Sequence, residues 1–264
     1  MKTSKFSPLV SVIMNCHNGE KYLKESIKSL ISQTYKNWEL IFWDNKSFDN
    51  SKKIVKKFKD KRIKYFKSAK FRNLYHSRNL AIKKAKGQYV GFLDVDDLWE
   101  RAKLKKQIKY FLENQNTKII YSNFFLINQL KKKKNIGYKK LLPTGFVTQK
   151  ILNNYSVGLV TTMLEKNIFK KYRFNSKYNI IGDFDFFIKI SQKYKFGCIQ
   201  SPLASYRVHD SNLSGKKIKL HIKELKYWLN INKRRLKNLS FNTNSINKTL
   251  IKLRIKYYLQ YLGV

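Results

Sequence analysis

Cysteine, proline and acidic residues are scarce in this chain of 264 residues. The two cysteines, Cys16 and Cys198, are too few and too far apart for a disulfide framework or a thiolate zinc site, which fits a reducing compartment. Three prolines and 42% apolar residues are not the composition of a disordered chain, although the formal net charge is +41. The composition therefore predicts a folded protein with one large domain, or with one domain and an appendage.

Long hydrophobic runs are also missing. The longest candidate, residues 119–127, is interrupted by Ser122 and Asn123 and falls short of the roughly 18 apolar residues that cross a bilayer. The apolar run at residues 9–14 is short and lacks a small-residue cleavage site, so we expect no signal peptide. The sequence predicts a cytoplasmic protein, at most peripheral on the cytoplasmic face of the membrane.

Positive charge is in large excess, with 57 Lys and Arg against 16 Asp and Glu. A basic excess binds polyanions such as RNA through counterion release. The alternative is that lysine has accumulated at solvated positions in an AT-rich coding sequence, since only five residues are Ala. Residues 86–92 loosely resemble an RNA-binding motif but lack its key aromatic residue and run directly into acids that repel phosphate. Nucleic acid is therefore not the expected partner.

Apolar runs alternate with amphipathic segments through the first 130 residues. Strand-like runs lie at residues 9–15, 38–43, 63–66 and 89–93, and helical patterns lie at 20–33, 47–58 and 75–86. Asn18 is expected to cap the first helix, and Gly87 is expected to end the third in a left-handed conformation. This alternation predicts an α/β fold with a doubly wound, mostly parallel sheet.

The C-terminal segment is strongly basic. From residue 211 onward there are thirteen Lys and Arg and a single acid, Glu224, together with apolar residues at helical spacing. We expect a basic helical tail at residues 216–264, following a domain at residues 1–215. An anionic membrane surface is one possible partner, because basic amphipathic helices with residues such as Trp228 attach to such lipid. The alternative is that the apolar stripes of the tail pack on the domain.

Polar residues follow three of the predicted strands. In an open parallel sheet, ligands bind beyond the carboxyl ends of the strands, where Asn15, Asp44 and the acidic segment 94–97 would lie. The first turn lacks the glycine pattern of a dinucleotide site. Three carboxylates within four residues suit Mg²⁺ or Mn²⁺, although two of them would equally suit the start of the next helix.

Several longer motifs add a resemblance. They lie at residues 8–14, 18–23, 32–41, 43–51, 77–81 and 91–97. Through them the chain resembles the family 2 glycosyltransferases of the GT-A fold over roughly residues 8–215. The resemblance implies a Rossmann-like GT-A domain, to which the basic helical tail is a C-terminal extension. Its nucleotide-sugar half would lie at about 8–130 and its acceptor half at about 131–215.

The resemblance also implies where a sugar donor binds, with a UDP-sugar as the expected donor. Asn45 stands where the family usually has a second Asp, and His17 replaces a common aromatic hydroxyl position. The residues implied to contact the nucleotide-sugar are Asn15, His17, Asp44, Asn45, Arg78, Asp94 and Asp96.

A divalent cation is the implied cofactor, either Mn²⁺ or Mg²⁺. By resemblance, Asp96 and Asp97 would hold it with His209, and Arg207 would pair with the diphosphate as residues 206–214 close over it. The cation would stabilise the negative charge that grows on the leaving nucleoside diphosphate.

A general base is needed to take the proton of the acceptor hydroxyl. Residues 182–187 resemble the family signature that opens a helix, with Asp183 at the catalytic position and Gly182 in place of the preceding acid. A helix N-terminus favours the ionised carboxylate, so Asp183 should accept a proton near neutral pH. The alternative is that Asp183 and Asp185 only balance the helix dipole.

Together these features imply an inverting, metal-assisted transfer of a sugar to an acceptor hydroxyl. The expected acceptor is a glycan or a lipid-linked sugar, in the synthesis of a cell-surface polysaccharide or glycolipid. The competing hypothesis is a polyanion-binding, RNA-binding or membrane-surface protein that keeps the scaffold without transferase activity.

Overall fold

The computed structural model describes residues 7–128, 133–209, 212 and 217–261. The strands are β1 (Val10–Cys16), β2 (Trp38–Asp44), β3 (Ile63–Lys67), β4 (Tyr89–Phe92), β5 (Leu98–Trp99), β6 (Ile119–Asn128), β7 (Lys133–Ile136), β8 (Met163–Glu165) and β9 (Phe196–Val208). The helices are α1 (Glu20–Ile31), α2 (Ser51–Lys57), α3 (Leu74–Lys84), α4 (Lys103–Glu113), α5 (Thr148–Asn153), α6 (Ile168–Lys171), α7 (Gly182–Ser191), α8 (Ile218–Asn238) and α9 (Asn244–Tyr261). A 3₁₀ turn at Leu159–Thr161 precedes β8.

The strands form one sheet in the order β3-β2-β1-β4-β8-β6-β9-β5, and β7 pairs with β6. Strands β3, β2, β1 and β4 are parallel, as are β6 and β9 over their whole length, whereas β8 runs antiparallel between β4 and β6. The chain moves outward from β1 to β3 and then returns to the other side of β1 with β4. This reversal creates the crevice at which α/β sheets bind ligands, and it confirms the predicted α/β fold.

Helices cover both faces of the parallel part of the sheet. All seven residues of β2 are buried, as expected for a strand with an apolar layer on each side. One buried layer includes Leu23 and Ile27 of α1 with Val12 of β1, and the other includes Ile82 of α3 with Ile13 of β1. Each such buried side chain contributes on the order of 1.5–3 kcal/mol to stability, so the two layers fix where the strands end.

The predicted cap of α1 is wrong. Asn18 adopts a positive φ of 55°, and its side-chain oxygen accepts a hydrogen bond from the Phe48 N–H at 3.0 Å. The N–H groups of Gly19, which precedes the helix, and of Glu20 instead donate to side chains that follow β2. Gly19 donates to Ser51 at the start of α2, and Glu20 donates to Asp49. The two loops at the carboxyl ends of β1 and β2 are therefore joined to each other.

The expected role of Gly87 is also wrong. Helix α3 ends at Lys84 with Ala85 in an extended conformation, and Gly87 does not adopt a positive φ. A Cβ atom at position 87 would lie 2.6 Å from the carbonyl oxygen of Leu9 and from the nitrogen of Ser11. The glycine is thus required by the close approach of its backbone to the start of β1.

The C-terminal helices pack on the rest of the chain. Trp228 of α8 is 1% exposed, and its indole N–H donates to Asp185 of α7 at 2.9 Å, so this residue does not lie at the surface. Helix α9 contacts α8 and α5. The predicted boundary between residues 215 and 216 lies outside the described residues, and the division into two regions stays a prediction. Among the helices described, none combines the length and the hydropathy that a membrane crossing requires.

Candidate active site

The polar residues at the end of β2 are bonded to neighbouring chain segments. Asp44 is 1% exposed, accepts the Ser47 N–H at 2.7 Å and also accepts a hydrogen bond from the Tyr65 hydroxyl. The Asn45 amide donates to the Arg72 carbonyl at 2.7 Å and accepts the Arg72 N–H at 3.1 Å. Asn45 therefore joins the end of β2 to the loop before α3, and its contact with a nucleotide stays a prediction.

An aromatic cleft lies beside these residues. The exposed ring of His17 lies 4.7 Å from that of Phe71 and 6.1 Å from that of Phe48, centroid to centroid, and its Nδ1 lies 3.0 Å from the carbonyl oxygen of Asn45. Phe48 and Phe71 are 85% and 59% exposed. Within the described part of the chain, the buried Nδ2 atom of Asn15 has no hydrogen-bond acceptor. This edge offers ring faces and one unpaired donor, which suit a planar base.

Arg78 links α3 to the acidic loop, which we define as residues 94–97 after β4. Its Nη2 atom lies 3.0 Å from Asp94 Oδ1, and the residue is 2% exposed. The guanidinium also lies within 6 Å of the ring centroids of Tyr75, Phe92 and Phe174. The aromatic surround fixes the cation, so the Asp94 side chain is held at the end of β4.

Asp183 lies in the same cavity as Arg78 and Asp94. The cavity has a volume of about 200 Å³, and Asp97, Tyr206 and the segment from Gly158 to Val160 also line it. Asp183 Oδ1 accepts the Phe184 N–H at 2.8 Å and lies 3.3 Å from the Tyr75 hydroxyl. The structure thus brings a carboxylate from the start of α7 into one cavity with the acidic loop after β4.

Burial raises the pKa of Asp183 above its ordinary value of 3.8, although the Phe184 N–H, Arg78 and Tyr75 each lower it. The expectation from the helix N-terminus alone omitted this desolvation, which dominates. A carboxylate whose pKa is raised is a stronger base when ionised, so its environment suits proton abstraction. Burial and the nearby Asp183 also raise the pKa of Tyr155.

Arg207 holds the acidic loop in place through hydrogen bonds to two of its residues. Asp97 is 1% exposed, and its Oδ1 accepts the Arg207 N–H at 2.9 Å. The Arg207 side chain donates to the Asp96 carbonyl at 2.8 Å and pairs with Glu25 at 2.7 Å. These contacts position the loop, while the pairing of Arg207 with a diphosphate stays a prediction.

Asp96 and His209 form the one close acid–histidine pair at this loop that the described residues contain. Their Oδ2 and Nε2 atoms lie 3.0 Å apart. Burial and the neighbouring carboxylates Asp96 and Asp94 raise the pKa of Asp97. No group of three or more His, Cys, Asp or Glu residues in the described ranges is placed to hold a metal ion. Carboxylate oxygens and an imidazole nitrogen are atom types that bind Mn²⁺ or Mg²⁺, and a cation held by Asp96, Asp97 and His209 stays a prediction. Of the predicted closing segment 206–214, only residues 206–209 and 212 are described.

The sequence profile of the family described as "Glycosyl transferase family 2" matches residues 11–191. The chain belongs to this glycosyltransferase family. A relative from Escherichia coli, the UDP-Glc:alpha-D-GlcNAc-diphosphoundecaprenol beta-1,3-glucosyltransferase WfgD, is 32% identical over 80% of this chain and 81% of its own length. The predicted family and enzyme class are thereby confirmed.

Two solved structures share the GT-A fold of this glycosyltransferase. TarS residues 1–349 of S. aureus in complex with UDP align with a TM-score of 0.66 at 20% identity, over 82% of this chain and 65% of the TarS chain. The mannosyltransferase PcManGT of Pyrobaculum calidifontis, in complex with GDP-Man and Mn²⁺, aligns with a TM-score of 0.64 at 14% identity, over 87% and 65% of the two chains. This glycosyltransferase thus spans about two thirds of the length of each.

Some residues around the site of this glycosyltransferase were missed by sequence reasoning. Glu25, Phe48, Phe71, Tyr75 and Tyr155 belong to no predicted site, yet the structure places each beside a predicted residue. Phe71 carried one usable signal, because it is an aromatic residue in a polar segment between a predicted strand and a predicted helix. Phe48 lies within the segment 47–58 that the sequence predicts as helical, so it gave no such signal. Glu25 is on the exposed side of α1, where an acid is ordinary, so nothing local marked it.

Proposed function

We propose that this glycosyltransferase moves a sugar from a UDP-sugar to an acceptor hydroxyl with inversion, and that Asp183 is the general base. The observation that carries the proposal is the shared cavity, which Asp183 lines together with Asp94 and Asp97. In-line displacement at an anomeric carbon requires a base for the acceptor hydroxyl and stabilisation of the leaving diphosphate, which the carboxylates of the loop would provide through a bound cation.

In the proposed reaction, the acceptor oxygen forms a bond to the anomeric carbon as the bond from that carbon to the diphosphate breaks. The hydroxyl proton passes to the Asp183 carboxylate, and the electron pair of the broken bond goes to the departing UDP. Arg78 holds Asp94 at the end of β4, and Arg207 holds the loop that carries Asp96 and Asp97. Asp96, Asp97 and His209 would hold Mn²⁺ or Mg²⁺, which supplies charge stabilisation to the leaving diphosphate.

The nucleotide would lie along the ends of β1 and β2. The unpaired amide of Asn15 and the rings of His17, Phe48 and Phe71 provide hydrogen-bonding and stacking surfaces for its base. UDP as the nucleotide is supported by the UDP named for TarS and the UDP-Glc named for WfgD. The diphosphoundecaprenol in the name of WfgD supports a lipid-linked acceptor and a role in surface polysaccharide synthesis. A cytoplasmic position, peripheral to an anionic membrane surface, is proposed with it.

A thermal-shift comparison tests the donor site. The purified protein is heated with UDP, GDP, dTDP or CDP, each with and without Mn²⁺, alongside Asp96→Asn and the control Asp60→Asn, which changes a carboxylate paired with Arg62. A ligand at a hundred times its Kd stabilises the fold by about 2.7 kcal/mol, so we expect a metal-dependent UDP shift in wild type and control, and its loss in Asp96→Asn. Stabilisation by heparin or RNA without any nucleotide effect would favour the polyanion-binding hypothesis instead.

A further inference from the structure

A second cavity also reaches Asp183. It has a volume of about 400 Å³ and lies among α5, the start of α7, α8 and the first two turns of α9. Asp183 lines both this cavity and the one that contains Asp94 and Asp97. A group entering through the second cavity would therefore meet the base without crossing the acidic loop.

The charge of the second cavity is opposite to that of the first. His221 of α8 and Lys248 and Lys252 of α9 line it, and among its described lining residues Asp183 is the one carboxylate. Lys248 and Lys252 are exposed and lie one helical turn apart, so both can turn toward the same anion. This arrangement suits a phosphate or diphosphate group.

Apolar surface continues from the cavity on both sides of these lysines. The inner wall includes Ile151, Leu225 and Ile246. Toward the end of α9, Ile255 and Leu259 follow Lys252 at spacings of three and seven residues and are 55% and 43% exposed. Residues at these spacings share one helix face, so an apolar ridge begins where the pair of lysines ends.

We propose that this second cavity, lined by α5, α7, α8 and α9, is the acceptor site, and that its acceptor is a sugar joined through phosphate to an apolar chain. The inference rests on the proposed function, because it assigns Asp183 as the base. The sugar hydroxyl lies at Asp183, the phosphate lies at Lys248 and Lys252, and the chain follows Ile255 and Leu259. Donor and acceptor then approach Asp183 from separate cavities, which keeps the attacking oxygen and the leaving diphosphate apart.

Calorimetry on the full chain tests the assignment with dodecyl phosphate below its critical micelle concentration as the probe. The variants are Lys248→Gln/Lys252→Gln, which removes both charges, and Thr249→Trp, which fills the cavity from an exposed position. Lys105→Gln/Lys109→Gln removes a matched exposed pair from α4. We expect roughly tenfold weaker binding in the first two variants, because charge-assisted contacts and the apolar wall are lost, and no change in the control.

Each alternative occupant gives a distinct result. Equal binding of inorganic phosphate would overturn the role of the apolar chain, and equal binding of dodecyl maltoside would overturn the role of the phosphate. Weaker binding in the lysine variant but not in Thr249→Trp would overturn the cavity in favour of surface attraction to anionic lipid. Binding unchanged in both variants would overturn the site altogether.

The UDP thermal shift of the same samples separates this inference from the proposed function. It should be unchanged in all three variants, because none of them alters the donor cavity. Wild-type protein that binds UDP but not dodecyl phosphate would overturn the acceptor site alone. Protein that binds dodecyl phosphate but no nucleotide would overturn the proposed function, and with it the acceptor role of the cavity.

Discussion

The two cavities that Asp183 lines differ in the sign of the charge on their other lining residues. The first cavity, at the strand ends, is lined by Asp94, Asp97 and Asp183 with one buried cation, Arg78. The second cavity, on the helix side among α5, α7, α8 and α9, is lined by three basic residues and shares only Asp183 with the first. This contrast arises in a chain with 57 basic and 16 acidic residues. The overall charge therefore does not predict the charge of a site. A nucleotide bound through a cation and a phosphate bound through lysines need opposite surroundings, and the fold provides both.

Replacing the shared carboxylate should have the largest effect. Asp183→Asn removes the proposed general base. General-base catalysis contributes about 10²–10⁴-fold, so sugar transfer should fall by that order. Binding of UDP and of dodecyl phosphate, measured by calorimetry, should be unchanged. The matched control is Asp185→Asn, two residues along the same helix. Asp185 bonds to Trp228 and Lys189, so its loss should lower the melting temperature while kcat persists.

The dependence of kcat on pH, on its acidic side, is a second test of Asp183 as the base. The pKa of Asp183 is raised by burial, so the carboxylate takes up its proton at a higher pH than an ordinary Asp. The base is active only when ionised, and kcat should therefore decline as the pH falls through this raised value, measured at saturating metal and donor. A profile that stays flat down to the ordinary range of Asp, near pH 4, would contradict the assignment.

A substitution in the acidic loop tests the role of the first cavity in metal and donor binding. Asp97→Asn keeps an oxygen that can accept the Arg207 N–H but removes a charge, so the fold should persist. Transfer should fall on the order of 10²–10³-fold, as when one electrostatic stabiliser of a leaving group is lost, and the Mn²⁺ concentration for half-maximal rate should rise. Full activity of wild-type enzyme in excess chelator would refute the role of the loop.

The two sides also differ in how far the sequence predicts them. Strand ends are local features, and periodicity alone placed Asn15, Asp44 and the acidic loop at one edge of the sheet, as the structure confirms. Asp183 depended on a family motif. The contacts that orient these residues could not be predicted from the sequence. Arg207 and Glu25, for example, are 182 positions apart in the chain, and local sequence patterns carry no information on such a pair. The raised pKa of Asp183 was missed for the same reason, since burial depends on the assembled fold.

Substitution of Glu224 tests whether α8 holds the backbone that precedes Asp183. It is the single acid of the tail, is 7% exposed, and accepts the N–H groups of Asn179, Ile180 and Ile181 at 2.7, 2.9 and 3.2 Å. Glu224→Ala leaves these donors unpaired beside the start of α7. Ile181 is buried, whereas Asn179 and Ile180 are half-buried and water can reach their N–H groups. One buried unsatisfied group costs about 1–3 kcal/mol and the other two cost less, so the free energy of unfolding in urea should fall by roughly 2–3 kcal/mol.

The conservative variant separates packing from hydrogen bonding. Glu224→Gln keeps one oxygen for the N–H groups and should fall between wild type and Glu224→Ala in stability. Transfer should drop with Glu224→Ala, because the backbone before Asp183 loses its anchor, while UDP binding at the strand ends is kept. Equal stability of all three proteins would show that α8 does not position the base.

The smallest effect is expected at Asn45, on the strand side. Its amide satisfies both the carbonyl and the N–H of Arg72, and Asn45→Asp would replace the donor to that carbonyl with a negative oxygen. An unsatisfied carbonyl costs about 1–3 kcal/mol when it is fully buried and less at the half-buried Arg72, so the melting temperature should fall by a few degrees at most. If the variant instead binds UDP more tightly without losing stability, Asn45 contacts the nucleotide and the loop before α3 is held by other bonds. A loss of stability with unchanged UDP affinity would assign Asn45 to the support of the donor cavity, as Glu224 supports the helix-side one.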